Sequence, residues 1–147
     1  MSVSVDAKDF LNRLSKMKNF SPLEKVVGQA CGIVQKDIME SMRDTPTQSV
    51  GYHTYNKKEL HYPSLPNNPP AVDSGDLRRS ITFTVETEEN KVIGRVGSTK
   101  NDPPYGAYLE FGTSRMIQRP WLKPALERNR EVIKEHIREG VREIVNG

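Results

Sequence analysis

Residues 81–96 read ITFTVETEENKVIGRV, and this stretch decides the fold class. Ile81, Phe83 and Val85 alternate with Thr82, Thr84 and Glu86, the period of two that suits a strand with one buried and one wet face. The polar run Glu88-Glu89-Asn90 interrupts the pattern. Val92, Ile93 and Val96 then resume it as a second strand, most simply the return arm of an antiparallel hairpin. Gly94–Lys100 is superficially like a phosphate-binding loop, but the Gly-Lys-Ser/Thr order is missing and no helix follows, so it reads as a strand end.

Both flanks of the hairpin are helical in pattern. Upstream, Ser21-Pro22-Leu23-Glu24 has the form of a capping box with proline at the first helical position. After it, Leu23, Val26, Val27, Ala30, Ile33, Val34, Ile38 and Met42 keep one apolar stripe, with Cys31 inside it as a packing residue. A shorter helix is expected before it, capped by Asp6 and carrying Phe10, Leu11, Leu14 and Met17. Downstream, Pro103-Pro104 ends the hairpin, Tyr105–Phe111 has the spacing of a short helix, and Gly112 is placed to stop it. Pro120 and Pro124 flank the entry to a last long helix with its stripe at Leu122, Leu126, Ile133, Ile137, Val141 and Ile144. On its polar side Glu127, Glu131, Glu135 and Glu139 each precede a base by three residues (Arg130, Lys134, Arg138, Arg142). Such pairs are worth about 0.2–0.5 kcal/mol each. They give either a solvated, self-paired helix or a ladder facing a neighbouring subunit.

Between the first long helix and the hairpin, residues 43–72 hold half of the chain's 10 prolines, and no period survives in them. A loop of that length is functional or waits for a partner. Tyr52, Tyr55 and Tyr62, with Lys57 and Lys58, make it a candidate adhesive arm, because tyrosine offers the amphipathic area that interfaces favour. Residues 50–66 are expected to order on, or reach across to, an adjacent subunit. Asp73–Leu77 reads as a turn capping a single helical turn. The architecture expected is α+β: a small antiparallel sheet packed against a long N-terminal and a long C-terminal helix, with the arm between the first helix and the sheet. Short extra strands fit around residues 46–62 and 113–118.

With 147 residues the chain suits one compact domain, 1–147. Hydrophobic residues are 35% and charged residues 28%, with a mean hydropathy of −0.67. That is lean beside the usual content of about 45–50% on a slightly broader count, so part of the surface is expected to stay solvated or to be covered by a partner. The single cysteine excludes an internal disulfide framework and a four-cysteine zinc module, and it fits synthesis in a reducing compartment such as the cytoplasm. The start MSVSVDAKDF has neither a basic beginning nor an apolar core, and no apolar run approaches a membrane span, so neither a signal peptide nor a membrane segment is expected. A net charge of +3 and a pI near 9.0 first suggest nucleic acid. Bases and acids are interleaved along the whole chain, however, whereas a reader of DNA or RNA concentrates its bases on one face.

Catalytic constellations are thin. His53 and His61 lie in the long loop without a cysteine or carboxylate cluster to complete a metal site, and His136 reads as a surface residue of the last helix. No nucleophile elbow is present, and Cys31 lies mid-helix without a neighbouring base. Glu110, beside Gly112 and Thr113, reads as a carboxylate that holds the following turn through backbone N–H groups rather than as a lone acid. The sequence therefore points to no enzyme and no cofactor.

Three ordered segments carry a resemblance. They are Pro70–Ile81 (PAVDSGDLRRSI), Tyr105–Thr113 (YGAYLEFGT) and Arg119–Leu126 (RPWLKPAL), with the hairpin between the first two and a final helix after the third. The chain resembles the tail-completion and head–tail joining (neck) family of long-tailed bacteriophages, the group similar to gene product ten of a lambdoid coliphage. The motif positions are Ser74, Gly75, Leu77, Tyr105, Tyr108, Glu110, Phe111, Gly112, Thr113, Pro120, Trp121 and Pro124. Ser74 replaces the family's usual threonine, Gly106 an alanine and Trp121 a phenylalanine, each keeping the local physics. The resemblance implies a structural virion protein, made in the host cytoplasm, that forms a homo-oligomeric, hexameric ring in the neck or at the head-proximal end of the tail. It implies contact with a tail-tube or tail-terminator protein on one side and a head-completion or connector protein on the other, with weak, non-specific contact to passing DNA. Residues 110–113 and 119–121 are expected to form a structural hinge, with Trp121 buried against the first helix and the sheet. A basic nucleic-acid-associated protein, or more remotely a small host-directed enzyme or inhibitor, are the competing readings.

Overall fold

The computed structural model describes residues 20–53, 58–89, 91–99 and 104–146, and the backbone of residues 2–5. In chain order the elements are β1 (Ser2–Val5), α1 (Ser21–Arg43), β2 (Tyr52–His53), β3 (Leu60–His61), α2 (Asp76–Ser80), β4 (Ile81–Glu88), β5 (Lys91–Ser98), α3 (Tyr105–Phe111) and α4 (Lys123–Asn146). The architecture is α+β, as the alternating stretch requires. The helix expected around Phe10 to Met17 lies outside the described residues. Two compact units emerge. The first takes the described residues within Met1–Gln35, Thr82–Gly97 and Leu126–Gly147, and the second takes those within Lys36–Ile81 and Ser98–Ala125.

In the first unit β5 is the central strand of a three-stranded sheet ordered β1-β5-β4. β4 keeps its alternation, with Phe83 and Val85 half-buried and Thr82, Thr84 and Glu86 exposed. β1 pairs antiparallel with β5, from Ser2 opposite Arg95 to Val5 opposite Val92. The sequence reading assigned no strand there, although Ser2–Val5 does alternate. The first half of α1 lies on this sheet through Leu23, Val27, Ala30 and Cys31, all fully buried. The approach is close: a Cβ at Gly94 would lie 2.3 Å from the Cys31 Sγ and 2.9 Å from Val27 Cγ1. α4 reaches α1 where a Cβ on Gly140 would meet Val26 at 2.6 Å. Only Ile133 of the expected α4 stripe is fully buried; Leu126, Ile137, Val141 and Ile144 stay half-covered. Two rungs of the charged ladder close, Lys134 to Glu131 at 3.4 Å and Arg138 to Glu135 at 2.5 Å. His136 is not a plain surface residue: its ring is half-buried, and its Nε2 is enclosed without a hydrogen-bond partner.

α1 opens one residue earlier than the capping box predicts. The carbonyl of Phe20 already accepts from the Glu24 N–H, and the Glu24 carboxylate takes the Thr87 hydroxyl of β4.

In the second unit the expected arm carries a hairpin, built from short strands within the 46–62 range where they were expected. β2 and β3 pair antiparallel, Tyr52 opposite His61 and His53 opposite Leu60. A bridge between Thr47 and Ser64 and a bond from the Gln48 N–H to the Pro63 carbonyl extend the pairing toward its base. Strands of two residues show no period, and the prolines hide the rest. Its ends are tied by the Leu65 N–H to the Pro46 carbonyl and by the Thr45 hydroxyl to the Pro69 carbonyl. Of the strands expected around 113–118, a single bridge forms, Thr113 to Met116.

Candidate functional site

The second unit holds an open groove of about 520 Å³, assembled from segments far apart in sequence. Its floor includes Met42, from the last turn of α1, and the 70–78 segment. The turn before α2 is set by Gly75, whose φ of 80° is the left-handed conformation glycine adopts without penalty. The Asp76 N–H donates to the Ser74 hydroxyl at 3.2 Å, so the capping hydroxyl works one residue ahead of the helical N-cap. Ser74, Gly75 and Leu77 thereby face the same space as Tyr105, Tyr108 and Thr113 of the second motif, and Tyr52 of the hairpin completes the wall. Tyr52 meets His61 edge to face at 5.5 Å.

Charges along the groove are engaged within the chain. Asp76 accepts from Arg79 at 2.6 Å, Asp73 lies 3.8 Å from His61, and Arg78 donates through Nε to the Met39 carbonyl. What faces solvent is chiefly aromatic and aliphatic: Tyr52, Val72, Tyr105 and Tyr108 are all more than two-fifths exposed. A second, smaller cavity of about 440 Å³ shares Met42, Ala71, Val72 and Arg78 with the first and adds Tyr62 and Arg43. Arg43 is held by Asp44 at 2.7 and 2.8 Å, a contact that keeps the Asp44 carboxyl below the usual carboxylate range.

The remaining motif residues form a different constellation. Glu110 is buried, and its Oε2 accepts from the N–H groups of Trp121 at 2.8 Å and Leu122 at 2.9 Å while Oε1 accepts from Lys123 at 2.9 Å. These are the unpaired donors that open α4, so the carboxylate acts as a remote helix cap. The expected role of Glu110 as a holder of backbone N–H groups is what the structure has, on a partner further along the chain than the next turn. Trp121 is 3% exposed, and its Nε1–H donates to the Gly106 carbonyl at 2.8 Å. Burial of the indole is as the sequence expects, and the bonds that hold Trp121 come from α3. Gly106 is small because a Cβ there would lie 2.9 Å from the Trp121 ring. Gly112 ends α3 with φ 75°, its N–H bonded to the Tyr108 carbonyl. Pro120 and Pro124 are half-buried at the entry to α4.

Phe111 joins neither group and is 80% exposed. Of the proposed arm residues, Lys58 is exposed, whereas Tyr55 and Lys57 lie outside the described residues. Sequence reasoning missed Met42, Val72, Leu109 and Met116 as groove residues; only their three-dimensional neighbourhood distinguishes them from core. Among the described residues no group of three or more His, Cys, Asp or Glu side chains converges on a point, and no helix is long and apolar enough to cross a membrane.

Fold and site together define an α+β protein whose motif residues build an open apolar groove beside a buried carboxylate cap. The model of the family described as "Bacteriophage HK97-gp10, putative tail-component" matches residues 6–112, well over half of the chain, and the chain belongs to this family of phage tail components. The match ends at Gly112, inside the second motif. No curated protein and no solved structure matches the chain.

Proposed function

We propose that this tail component is a structural virion protein that assembles with further copies of itself as a ring, in the neck or at the head-proximal end of the tail, and there completes the tail and joins it to the head. The observation that carries this reading is the groove: the motif residues of two separate segments converge on a surface suited to a protein partner, and not on a reactive centre. The exposure of Tyr52, Tyr105 and Tyr108 on this one surface supports it, since tyrosine is favoured at protein interfaces. A ring requires unlike patches on each copy, and its remaining faces would meet a tail-tube or tail-terminator protein and a head-completion or connector protein. Bases spread thinly over the surface suit weak, non-specific contact with passing DNA.

Mass measurement in solution over a range of concentrations, with electron microscopy of the assembled species, tests the reading. Closed rings of one size are expected. A monomer at every concentration, together with DNA affinity that falls steeply with salt, would favour the nucleic-acid-associated alternative instead.

A further inference from the structure

β4 is an end strand of the first unit's sheet, 8 residues long, and its outer edge is a row of backbone groups. The Thr99 N–H donates to the Ser80 carbonyl at 3.0 Å, so residues 80 and 99 stand opposite each other as a hydrogen-bonded pair of the hairpin. Counted along the strand from that pair, Thr82, Thr84 and Glu86 turn their N–H and C=O groups to β5. Phe83, Val85 and Thr87 turn theirs outward, where no described strand pairs with them. The side chains of Phe83 and Val85 lie toward Gly28 of α1 and are half-buried, while Thr82, Thr84 and Glu86 are exposed on the other face.

A long strand edge is a template for pairing, and proteins that keep one single block it with proline, lysine or a bulge. β4 reads ITFTVETE and has neither proline nor lysine. Its two acids are paired on the strand's own hairpin, Glu86 with Arg95 and Glu88 with Lys91 at 3.5 Å. The strand also complements itself. With Thr84 opposite Thr84 of a second, antiparallel copy, the outward groups of Phe83 in each copy meet those of Val85 in the other. On the helix side this register sets an aromatic ring beside a β-branched side chain twice, covering surface that one copy leaves half bare. On the outer side threonine meets threonine at residue 84 and Glu86 meets Thr82, so no like charges stand opposite. α1 leaves room for the second copy: Gly28 lies against β4, and a Cβ on Gly32, one turn further on, would meet nothing within 4 Å.

We propose that β4 pairs antiparallel with β4 of a second copy, about a two-fold axis at Thr84, and so joins two sheets into one. Main-chain hydrogen bonds supply the attraction, and the Phe83–Val85 pairs set the register. The contact joins like patches, so it is separate from the unlike patches that a ring needs and does not rest on that reading.

Sedimentation of the unmodified chain over a range of concentrations should show a dimer. Thr84→Lys sets two like charges opposite each other at an exposed position, so its circular dichroism should match that of the unmodified chain while pairing weakens by about five-fold or more. Mixing Thr84→Lys with Thr84→Glu should restore the pair as a mixed dimer. Under mild oxidation Thr84→Cys should cross-link with itself and Thr82→Cys should not; Cys31 is buried and stays out of the reaction. Assemblies of unchanged mass and affinity from Thr84→Lys, or no self-cross-link from Thr84→Cys, would overturn the contact and leave the ring reading standing. Failure of the charge-swapped mixture to pair, or self-cross-linking of Thr82→Cys in place of Thr84→Cys, would overturn the register on which the contact is built. A chain that is monomeric at all concentrations would overturn both the contact and the ring reading.

Discussion

Glu110 uses both carboxylate oxygens on three backbone N–H groups at the start of α4, and a substitution that keeps its size tests how much that matters. Glu110→Gln leaves one acceptor and turns an amide donor toward donors. The expected cost is about 1–3 kcal/mol, read as a Tm lower by several degrees in calorimetry. An unchanged Tm would mean that water replaces the cap. The sequence already marks Glu110 as a holder of backbone groups, but the partners lie eleven to thirteen residues on, beyond the reach of local pattern. Cys31 is the converse case, fully legible as a packing residue. Burial pushes its thiol pKa above the ordinary value, so the thiolate is scarce near neutral pH in the folded chain. Thiol reagents should therefore label native protein far more slowly than denatured protein, a difference that absorbance-monitored titration resolves. Because the folded thiol holds its proton more tightly, its contribution to stability is complete below the ordinary thiol range and declines as alkaline pH passes through the raised value.

At the scale of elements, two glycines record how closely the long helices pack. In an exposed helix Gly→Ala stabilises by about 1 kcal/mol through backbone entropy. At Gly140 the new methyl group would meet Val26 at 2.6 Å, so Gly140→Ala should destabilise instead, and adding Val26→Ala should recover part of the loss in a double-mutant cycle followed by urea unfolding. Gly94→Ala, aimed at Cys31 and Val27 under α1, should cost about 1–3 kcal/mol by the same measurement. Both helices and the β4–β5 hairpin were legible because each is long enough for its period to repeat. β1 was not: four residues of alternation do not announce a strand until β5 offers an edge. Short strands within 46–62 were expected and β2 and β3 form there, but their register was not legible, because it depends on bonds such as Gln48 to Pro63 rather than on any periodicity.

For the whole molecule, the lean composition has a structural counterpart in an α4 stripe that is mostly half-covered and in a tyrosine-walled groove open to solvent. The hairpin base is paired within the chain, and its reach toward a neighbour is a matter for experiment. Replacing residues 54–59 by an Asn-Gly turn should leave the circular dichroism of the chain unchanged while lowering the mass of the assembled species. Rings of normal size and stability after that excision would show that the arm does not bridge copies.

By itself the sequence determined the α+β class, the two long helices with their apolar stripes, the central hairpin and the family, because each rests on a repeated period or an ordered set of motifs. Tertiary structure decided which motif residues act together. Ser74, Leu77, Tyr105 and Tyr108 became one surface, Glu110 and Trp121 a second arrangement, and Phe111 stayed exposed outside both. The reason is geometric: neighbouring positions on a short helix point in different directions, and what each side chain meets depends on chain segments whose approach no local spacing encodes.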